Sequence, residues 1–580
     1  MPRPQRREKE REKKMKKFRD LKYERPDPKK VKALIRSATK RLRAAKSFEE
    51  AEEAFLSFNA EQEKVMTMAS IAQIRNTMNM SDKFYDGEMK YYNKFMPTVM
   101  PLIKKLNKAL IETPFRAEFE KKYGEHMFRD LEQSDKLISP KVILPSIREN
   151  MLKTEYSKTA ATCSVEFMGE KCNFYGLLKH MQSTDRVERK AAFEAWAGLY
   201  EQISPKLDEI YGKLVRIRCG IARKLGFDSY IDYVYLSRGR YDYTPADIER
   251  FREEVRRYVT PVCAEMYEEQ RQRLGVDKLH WYDESLMFPD GNAVPIGTPE
   301  ELVEKAKAMY EKLSPETGEF FGFMAEHELY DLVTRENKHL GGYCTSLPEY
   351  KAPFIFSNFN GTSADVDVLT HEAGHAFECY YASRLLPISS LVFSTSEINE
   401  IHSMSMEHLT YPWMDSFFGD KADGYRYSHF TEALKTVPYL VSVDEFQHRV
   451  YENPSSGPSD WRRYWKEIEE KYMPWRDYDG NAFLSGGGFW MQKQHIFLYP
   501  FYYVDYALAE MGAFSIYRMA VNGEDAWGTY LRLCSMGGKY GYFETLERAG
   551  IPNPLKGDTV SEIADFAKEQ AGVLKNRLRG

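Results

Sequence analysis

The segment Thr370–Phe377 contains the residues with the clearest capacity for chemistry. It reads Thr-His-Glu-Ala-Gly-His-Ala-Phe, with histidines at positions 371 and 375 and a glutamate at 372. Four residues advance an α-helix by about 6 Å and turn it by about 400°, so His371 and His375 point the same way. Two neutral imidazoles spaced in this way suit one Zn²⁺ at about 2.0–2.1 Å. Glu372 is turned by about 100° and can reach a water on the metal rather than the metal itself.

The surrounding residues predict that this segment lies on a helix, the motif helix. Thr362 or Ser363 can cap its start, Asp365 suits the positive N-terminus, and Pro387 limits its end. Gly374 weakens a helix by up to ~1 kcal/mol relative to alanine. Close approach of a neighbouring helix would explain this glycine, and a metal site built from two helices requires such an approach.

A catalytic zinc ion has three protein ligands and one open position, so a third ligand is needed. The candidates are Glu378, Glu397 and Glu400. Glu378 would lie on the motif helix, and three ligands along one straight helix converge poorly on a tetrahedral ion. Glu397 and Glu400 would lie on a second helix, roughly from Ser396 to Phe417. Spacing alone does not choose between these two glutamates.

The rest of the chain is predicted to be mostly helical. Segments rich in Ala, Leu, Glu, Lys and Arg carry apolar residues at helical spacing, and clusters of Pro, Gly, Asn and Asp separate them. The predicted helices include Val31–Phe55, Pro205–Leu225, Pro245–Leu274, Pro299–Lys312 and Trp461–Tyr472.

Two stretches are typical of β-structure. Ser164–Tyr175 has the pattern of a hairpin that turns at Gly169. In Leu340–Asn360, apolar alternation and Pro353 predict an edge strand that ends one short turn before the motif helix. Its part Phe354–Phe359 is a candidate to pair with an extended peptide backbone.

Composition and charge narrow the class of protein. The 580 residues suffice for a large multi-lobed enzyme, and a hydrophobic fraction of 43% allows a substantial core. A net charge of −4 gives no support for a nucleic-acid partner, and no apolar run of ~18 residues predicts a membrane span. The mixed-charge run Arg6–Lys14, in a basic and frayed segment 1–30, is unlike a transit peptide or a secretory signal. Seven scattered cysteines favour reduced thiols in the cytoplasm.

The metal-site segment and its surroundings resemble the oligoendopeptidase F and thimet oligopeptidase family of zinc metallopeptidases. The five residues from His371 to His375 are followed, after twenty-five positions, by Glu400 within Glu-Ile-His-Ser-Met-Ser-Met-Glu. In that family a glutamate at this spacing is the third ligand, so the resemblance implies Glu400. His495–Ala507 resembles the family's helix rich in histidine and tyrosine, and Ala222–Tyr230 resembles its helical body. The match covers most of residues 150–570.

The resemblance implies a mainly α, two-lobed metallopeptidase with a deep central channel and a small β-sheet beside the motif helix. We expect an N-terminal helical lobe at residues 1–200 and a catalytic lobe at residues 201–580. We expect one Zn²⁺ per chain and hydrolysis of internal bonds in short peptides by zinc-bound water, assisted by Glu372. The alternatives are a zinc carboxypeptidase of similar build and a helical peptide-binding protein without catalytic activity.

The resemblance also implies residues that face the substrate. His495 and a tyrosine near positions 502–506 are expected to donate hydrogen bonds to the developing oxyanion, with Tyr503 and Tyr506 preferred over Tyr499 and Tyr502. On one continuous helix, either Tyr499 and Tyr503 or Tyr502 and Tyr506 could fully face the cleft, but not both pairs.

Further residues concern the surroundings of the metal. Glu407 shares a helix face with the third ligand, and Glu407 or Asp365 is predicted to orient a ligand imidazole. The chain departs from the family pattern at two positions. Glu378 stands where members often have a histidine, and His402-Ser403 stands where a Pro-Ser pair follows the ligand glutamate.

Overall fold

The computed structural model describes residues 15–335, 337–339 and 341–578. These residues are mostly α-helical, as predicted, with five short strands among them. The run Arg6–Lys14 lies outside the described residues. Within the described part of the chain, no helix combines the length and the apolar character that crossing a membrane requires.

The described chain forms two compact units, and each is assembled from separate stretches of sequence. The first unit holds the residues up to Ile138 together with Val294–Asp420 and Ile516–Ile551. The second unit holds Ser139–Ala293, Lys421–Ser515 and the residues from Pro552 onward. This division differs from the predicted lobes at residues 1–200 and 201–580.

No boundary appears near residue 200, although Pro205 lies there. Proline cannot donate to the carbonyl four residues before it, and this usually ends a helix. Here the Glu201 carbonyl accepts a hydrogen bond from the Ser204 hydroxyl at 2.9 Å instead. One helix, Arg186–Leu225, therefore runs through this position.

The first unit is built from helices around an apolar core. Its helices are Pro28–Ala44, Phe48–Met78, Lys83–Ile111, Arg116–Tyr123, Glu125–Leu137, Pro299–Leu313, Pro315–Glu326, Ala364–Leu385, Ser396–Leu409, Asp415–Phe418, Ala526–Met536 and Tyr542–Ala549. The predicted helix Val31–Phe55 is in fact parts of the first two. A new helix begins at Phe48 because the Ser47 side chain accepts from the Glu50 N–H at 3.3 Å.

The second unit is also mainly helical. Its helices are Ile143–Ala161, Phe174–His180, Arg186–Leu225, Tyr230–Ser237, Pro245–Glu254, Thr260–Leu274, Ala422–Glu452, Pro458–Tyr472, Gln494–Leu498 and Thr559–Arg577, while Tyr503–Val521 belongs in part to each unit. The predicted hairpin is present. Its strands Val165–Phe167 and Glu170–Cys172 pair antiparallel across a turn in which Met168 and Gly169 both have positive φ.

The first unit contains a three-stranded sheet that packs against the motif helix, as predicted. Ala352–Phe359 is its central strand, flanked by Tyr330–Val333 in parallel and by Tyr343–Leu347 in antiparallel orientation. The prediction that Phe354–Phe359 is an edge strand is therefore wrong. Pro353 is tolerated because the parallel neighbour pairs only from Ile355 onward, so only one ladder meets the proline.

The first described residues, from Met15 onward, are packed inside the first unit, so the prediction of a frayed segment 1–30 is wrong for them. The Phe18 ring is buried and lies 4.4 Å from the ring of Phe354 in the central strand. The Phe18 N–H donates to the His327 carbonyl at 2.8 Å. Two apolar residues, Met15 and Leu21, are buried beside it and fix the segment by burial of apolar surface.

Candidate metal centre

The motif helix extends over Ala364–Leu385 and ends just before Pro387, as predicted. Ser363, at its N-cap, makes no side-chain hydrogen bond to the helix. The Thr362 hydroxyl bonds to the Asn360 side chain at 2.7 Å. Neither predicted cap therefore acts through its side chain. The backbone carbonyls of Thr362 and Ser363 accept the first helical N–H groups instead.

Three side chains bring their ligand atoms together on the motif helix and on the helix Ser396–Leu409, the ligand helix. Glu400 Oε2 lies 3.5 Å from His371 Nε2 and 3.4 Å from His375 Nε2. All three ligand atoms lie within 4.8 Å of one another. Ligands at 2.0–2.2 Å from a tetrahedral zinc ion stand about 3.3–3.6 Å apart. The donor types and their spacing thus fit a zinc ion.

The two helices approach closely at Gly374. A Cβ atom at this position would lie 2.6 Å from Ser403 Cα and 2.7 Å from the His402 carbonyl oxygen. Both contacts are to backbone, which cannot swing away as a side chain could. The glycine thus allows the contact between helices that the sequence predicted. The ligand helix itself is shorter than expected, because it ends at Leu409 ahead of Pro412.

Of the two acids predicted to orient an imidazole, Glu407 contacts one. Glu407 Oε1 accepts a hydrogen bond from His371 Nδ1 at 2.5 Å, which leaves Nε2 to face Glu400. Asp365 is engaged elsewhere, because its carboxylate accepts the N–H groups of Asn360 and Gly361 at 2.9 and 2.8 Å. A carboxylate on the far nitrogen of a ligand histidine fixes the tautomer that metal binding needs.

Glu378 and Glu397 do not belong to this converging group of described residues. Glu378 is fully buried, and its Oε2 lies 3.2 Å from Nδ1 of His402, which is also fully buried. Glu397 is buried near the start of the ligand helix.

Burial would raise the pKa of Glu400, but the charges of His375 and His371 outweigh it and hold that pKa well below its usual value.

Glu372 stands next to the converging group but points elsewhere. Its Oε2 is buried without a hydrogen-bond partner among the described residues. Its Oε1 would lie 3.5 Å from a Cβ atom on Gly342, the residue just before the outer strand of the sheet. Burial raises the pKa of Glu372, against the lowering effect of His371 and His375. An orphaned carboxylate oxygen at this place suits a base that waits for a water molecule.

The second set of predicted site residues surrounds His495 in the second unit. Its ring lies 6.0, 6.0, 4.8 and 6.5 Å from the rings of Tyr499, Tyr502, Tyr503 and Tyr506. The stretch is not one helix. A short helix, Gln494–Leu498, is followed by a turn, and the next helix begins at Tyr503. The prediction that only one tyrosine pair can fully face the cleft assumed one continuous helix, and that assumption is wrong because the helix breaks between Leu498 and Tyr503.

The turn before Tyr503 holds a strained backbone. Phe501 has φ of +62°, which is unfavourable for a bulky residue. The Phe501 N–H donates to Gln447 Oε1 at 2.9 Å, and its carbonyl accepts from Arg240. Arg240 also pairs with Asp505 at 2.5 Å. Buried polar partners therefore impose this conformation.

Gln447 and Arg240 were not identified from the sequence, because each lies more than fifty residues from the turn that it holds. The sequence did contain an indication that the stretch is not one continuous helix. Pro500 lies in the middle of the stretch His495–Ala507, where it removes a helical N–H.

This chain is similar to known peptidases over most of its length. Residues 18–138 match the profile described as the peptidase M3 N-terminal domain. Residues 179–293 and 301–565 match the profile of peptidase family M3. Among solved structures, PZ peptidase A with an inhibitor is 42% identical to this chain, with a TM-score of 0.91. That alignment covers 96% of this chain and 99% of the other.

Two curated relatives are more distant. The group B oligopeptidase of Streptococcus agalactiae serotype III (strain NEM316) is 22% identical over 373 residues, which are 62% of this chain and 59% of that protein. The chromosomal oligoendopeptidase F of Lactococcus lactis subsp. cremoris is 22% identical over 436 residues, 71% of this chain and 66% of that protein. The chain thus spans about three fifths to two thirds of the length of these relatives.

Proposed function

This chain belongs to peptidase family M3, and from that membership and the geometry of its metal centre we propose a zinc-dependent oligoendopeptidase that hydrolyses internal bonds of short peptides. The observation that carries the proposal is the convergence of His371, His375 and Glu400, in which the Glu400 Oε2 lies 3.4–3.5 Å from both imidazole nitrogens. Three ligands of this kind suit one Zn²⁺ per chain and leave a fourth position for chemistry. When bound there, the ion would polarise the scissile carbonyl and lower the pKa of water.

Glu372 is the proposed general base. In the proposed mechanism, its Oε2, which has no hydrogen-bond partner among the described residues, accepts the proton of the attacking water and returns it to the leaving amine. Glu407 has a different role, because it holds the His371 ring through Nδ1 and so keeps Nε2 directed at the ligand group.

His495, Tyr503 and Tyr506 are the proposed donors to the oxyanion that forms when the carbonyl is attacked. Their rings lie in one cluster. The turn before Tyr503 is held at Phe501, whose N–H and carbonyl both make hydrogen bonds to side chains. Preorganised donors of this kind lower the barrier because they do not reorient during the reaction. Tyr499 and Tyr502 belong to the same cluster and are weaker candidates.

The peptide backbone is proposed to pair with the outer strand Tyr343–Leu347. This strand lies at the edge of the sheet, and Gly342 just before it lies beside Glu372. Main-chain pairing at a sheet edge binds extended peptides with little sequence preference.

We propose a reducing compartment, the cytoplasm, as the place of action. All seven cysteines are free thiols, and four of them are buried. Such thiols persist where disulfides do not form.

The decisive experiment compares the wild-type chain with Glu372→Gln on internally quenched short peptides. We expect the variant to lose about 10²–10⁴-fold in kcat and to keep its zinc, because only the proton acceptor is removed. Glu326→Gln, on the exposed end of another helix of the first unit, is the matched control and should cleave like the wild type. Cleavage by Glu372→Gln at the wild-type rate would contradict the role of Glu372 as general base.

The third ligand is tested by zinc content. Glu400→Ala should lose bound zinc, whereas Glu397→Ala should retain it. The reverse result would move the ligand to Glu397.

Product masses separate the endopeptidase from the alternatives. Fragments cut within the peptide support the proposal, and stepwise loss of C-terminal residues would indicate a carboxypeptidase. Saturable binding of peptides without any cleavage, in a zinc-loaded chain, would indicate a peptide-binding protein.

A further inference from the structure

Glu378 and His402 form a pair at the contact between the motif helix and the ligand helix. Both side chains have no exposed surface, and Glu378 Oε2 lies 3.2 Å from His402 Nδ1. The two groups are in contact without forming a hydrogen bond, and neither side chain has a hydrogen-bond partner among the described residues. A buried carboxylate is strongly unfavourable unless a partner compensates it. Each side chain therefore depends on the other.

The two residues are the same two positions at which the chain departs from the family pattern that its metal-site segment resembles. They lie on different helices, three residues after His375 and two residues after Glu400. The structure thus joins the two departures in one contact.

His402 is also held through its backbone. Its carbonyl accepts a hydrogen bond from the Tyr530 hydroxyl at 3.1 Å and lies against Gly374. The next residue, Ser403, donates its hydroxyl to Glu400 Oε2 at 3.2 Å. A displacement of His402 is therefore passed to the carboxylate that faces the two histidines.

Two kinds of contact connect the helices at this point. Gly374 permits close approach but supplies no attraction that fixes the register of one helix against the other. The acid–imidazole pair adds an attraction between the two helices, because Glu378 and His402 attract each other only where the helices bring them to 3.2 Å.

We propose that Glu378 and His402 are positioning residues, which fix the ligand helix against the motif helix and thereby place the Glu400 carboxylate for metal binding. This role rests on the metal centre of the proposed function. It predicts that zinc affinity depends on the pair even though neither residue is a ligand.

The test measures zinc affinity by chelator competition in the full-length chain. The variants are Glu378→Gln, His402→Gln, and the exchange that combines Glu378→His with His402→Glu. We expect each single variant to bind zinc about 10–100-fold more weakly, as for other residues that orient ligands. Excess zinc should restore kcat in the single variants, because the pair does not touch the reacting atoms.

The exchange separates positioning from general packing. It keeps one acid and one imidazole in the same space, so it should recover most of the lost affinity. Ile398→Val is the matched control, because it removes a buried methyl group from the ligand helix and leaves both members of the pair unchanged. Its zinc affinity should stay at the wild-type value while its thermal midpoint falls.

Three results would overturn the inference. The first is wild-type affinity in both single variants, and the second is an equal loss of affinity in Ile398→Val. The third is an exchange variant that folds but binds zinc no better than the single variants. A wild-type chain that takes up no zinc would instead refute the proposed function, on which this role depends.

Discussion

The metal centre and the His495 cluster position their side chains in opposite ways. The metal centre uses two uninterrupted helices, whose backbones meet at Gly374. The His495 cluster uses a break between two helices, where Gln447 and Arg240 hold Phe501 at positive φ. Regular helix geometry places the ligand side chains in the first region. Hydrogen bonds from distant parts of the chain place the histidine and tyrosine rings in the second.

Damage to the two regions should therefore have different consequences. Substitutions at the helix contact should change metal affinity, because they move ligand atoms. Substitutions that release the turn should change turnover and leave the metal in place, because none of the three converging ligands belongs to the His495 cluster.

The largest effect is expected from Gly374→Ala. The added Cβ would stand 2.6 Å from a backbone atom of Ser403, so the helices must separate. Overpacking of this kind costs about 1–3 kcal/mol, and the displaced Glu400 should also weaken zinc binding. Denaturant unfolding and zinc content measure both effects.

Gly322→Ala is the matched control for Gly374→Ala. Gly322 also lies inside a helix of the first unit, but a Cβ there would meet nothing within 4 Å. It should keep its zinc and be as stable as the wild type or slightly more stable. Similar losses in both variants would show that helix propensity, and not the contact, is responsible.

A smaller effect is expected from Glu407→Gln. The amide carries no charge, so the hydrogen bond from His371 Nδ1 becomes weaker, and zinc affinity should fall about 10–100-fold. Asp365→Asn should leave zinc affinity unchanged, because that carboxylate bonds only to loop N–H groups among the described contacts. Chelator competition on both variants decides which acid supports the imidazole.

The smallest effect on the metal, and a clear effect on turnover, is expected from Gln447→Leu. It leaves the buried Phe501 N–H without its acceptor, which costs about 1–3 kcal/mol and loosens the turn before Tyr503. We expect lower kcat with full zinc content. Asn453→Ala is the matched control, because it removes a side-chain hydrogen bond at the exposed end of the helix Ala422–Glu452, which also carries Gln447. It should not alter kcat. Zinc loss in Gln447→Leu would contradict the separation of the two regions.

The sequence predicted those features that short-range rules determine. The helical period placed His371 and His375 on one face, and the glycine between them predicted the helix contact found at Ser403. The family named from the motif is confirmed, as are the mainly helical fold and the sheet beside the motif helix.

Other features depend on contacts that a single segment does not reveal. The central position of Phe354–Phe359 depends on Tyr330–Val333, a strand that the sequence did not predict. The continuity of the helix through Pro205 depends on a serine hydroxyl that replaces a missing backbone donor. The choice of Glu407 over Asp365 depends on which loop amides lie near Asp365.

The docking of Phe18 on Phe354 has a practical consequence for protein preparation. The central strand that carries Phe354 also packs on the motif helix, so Phe18 contacts the strand against which the motif helix lies. Trimming by a protease after Leu21 would uncover that ring and remove a contact comparable to a Phe→Ala change, about 3–5 kcal/mol. Preparations should therefore be checked by intact mass before any loss of metal is attributed to the ligands themselves.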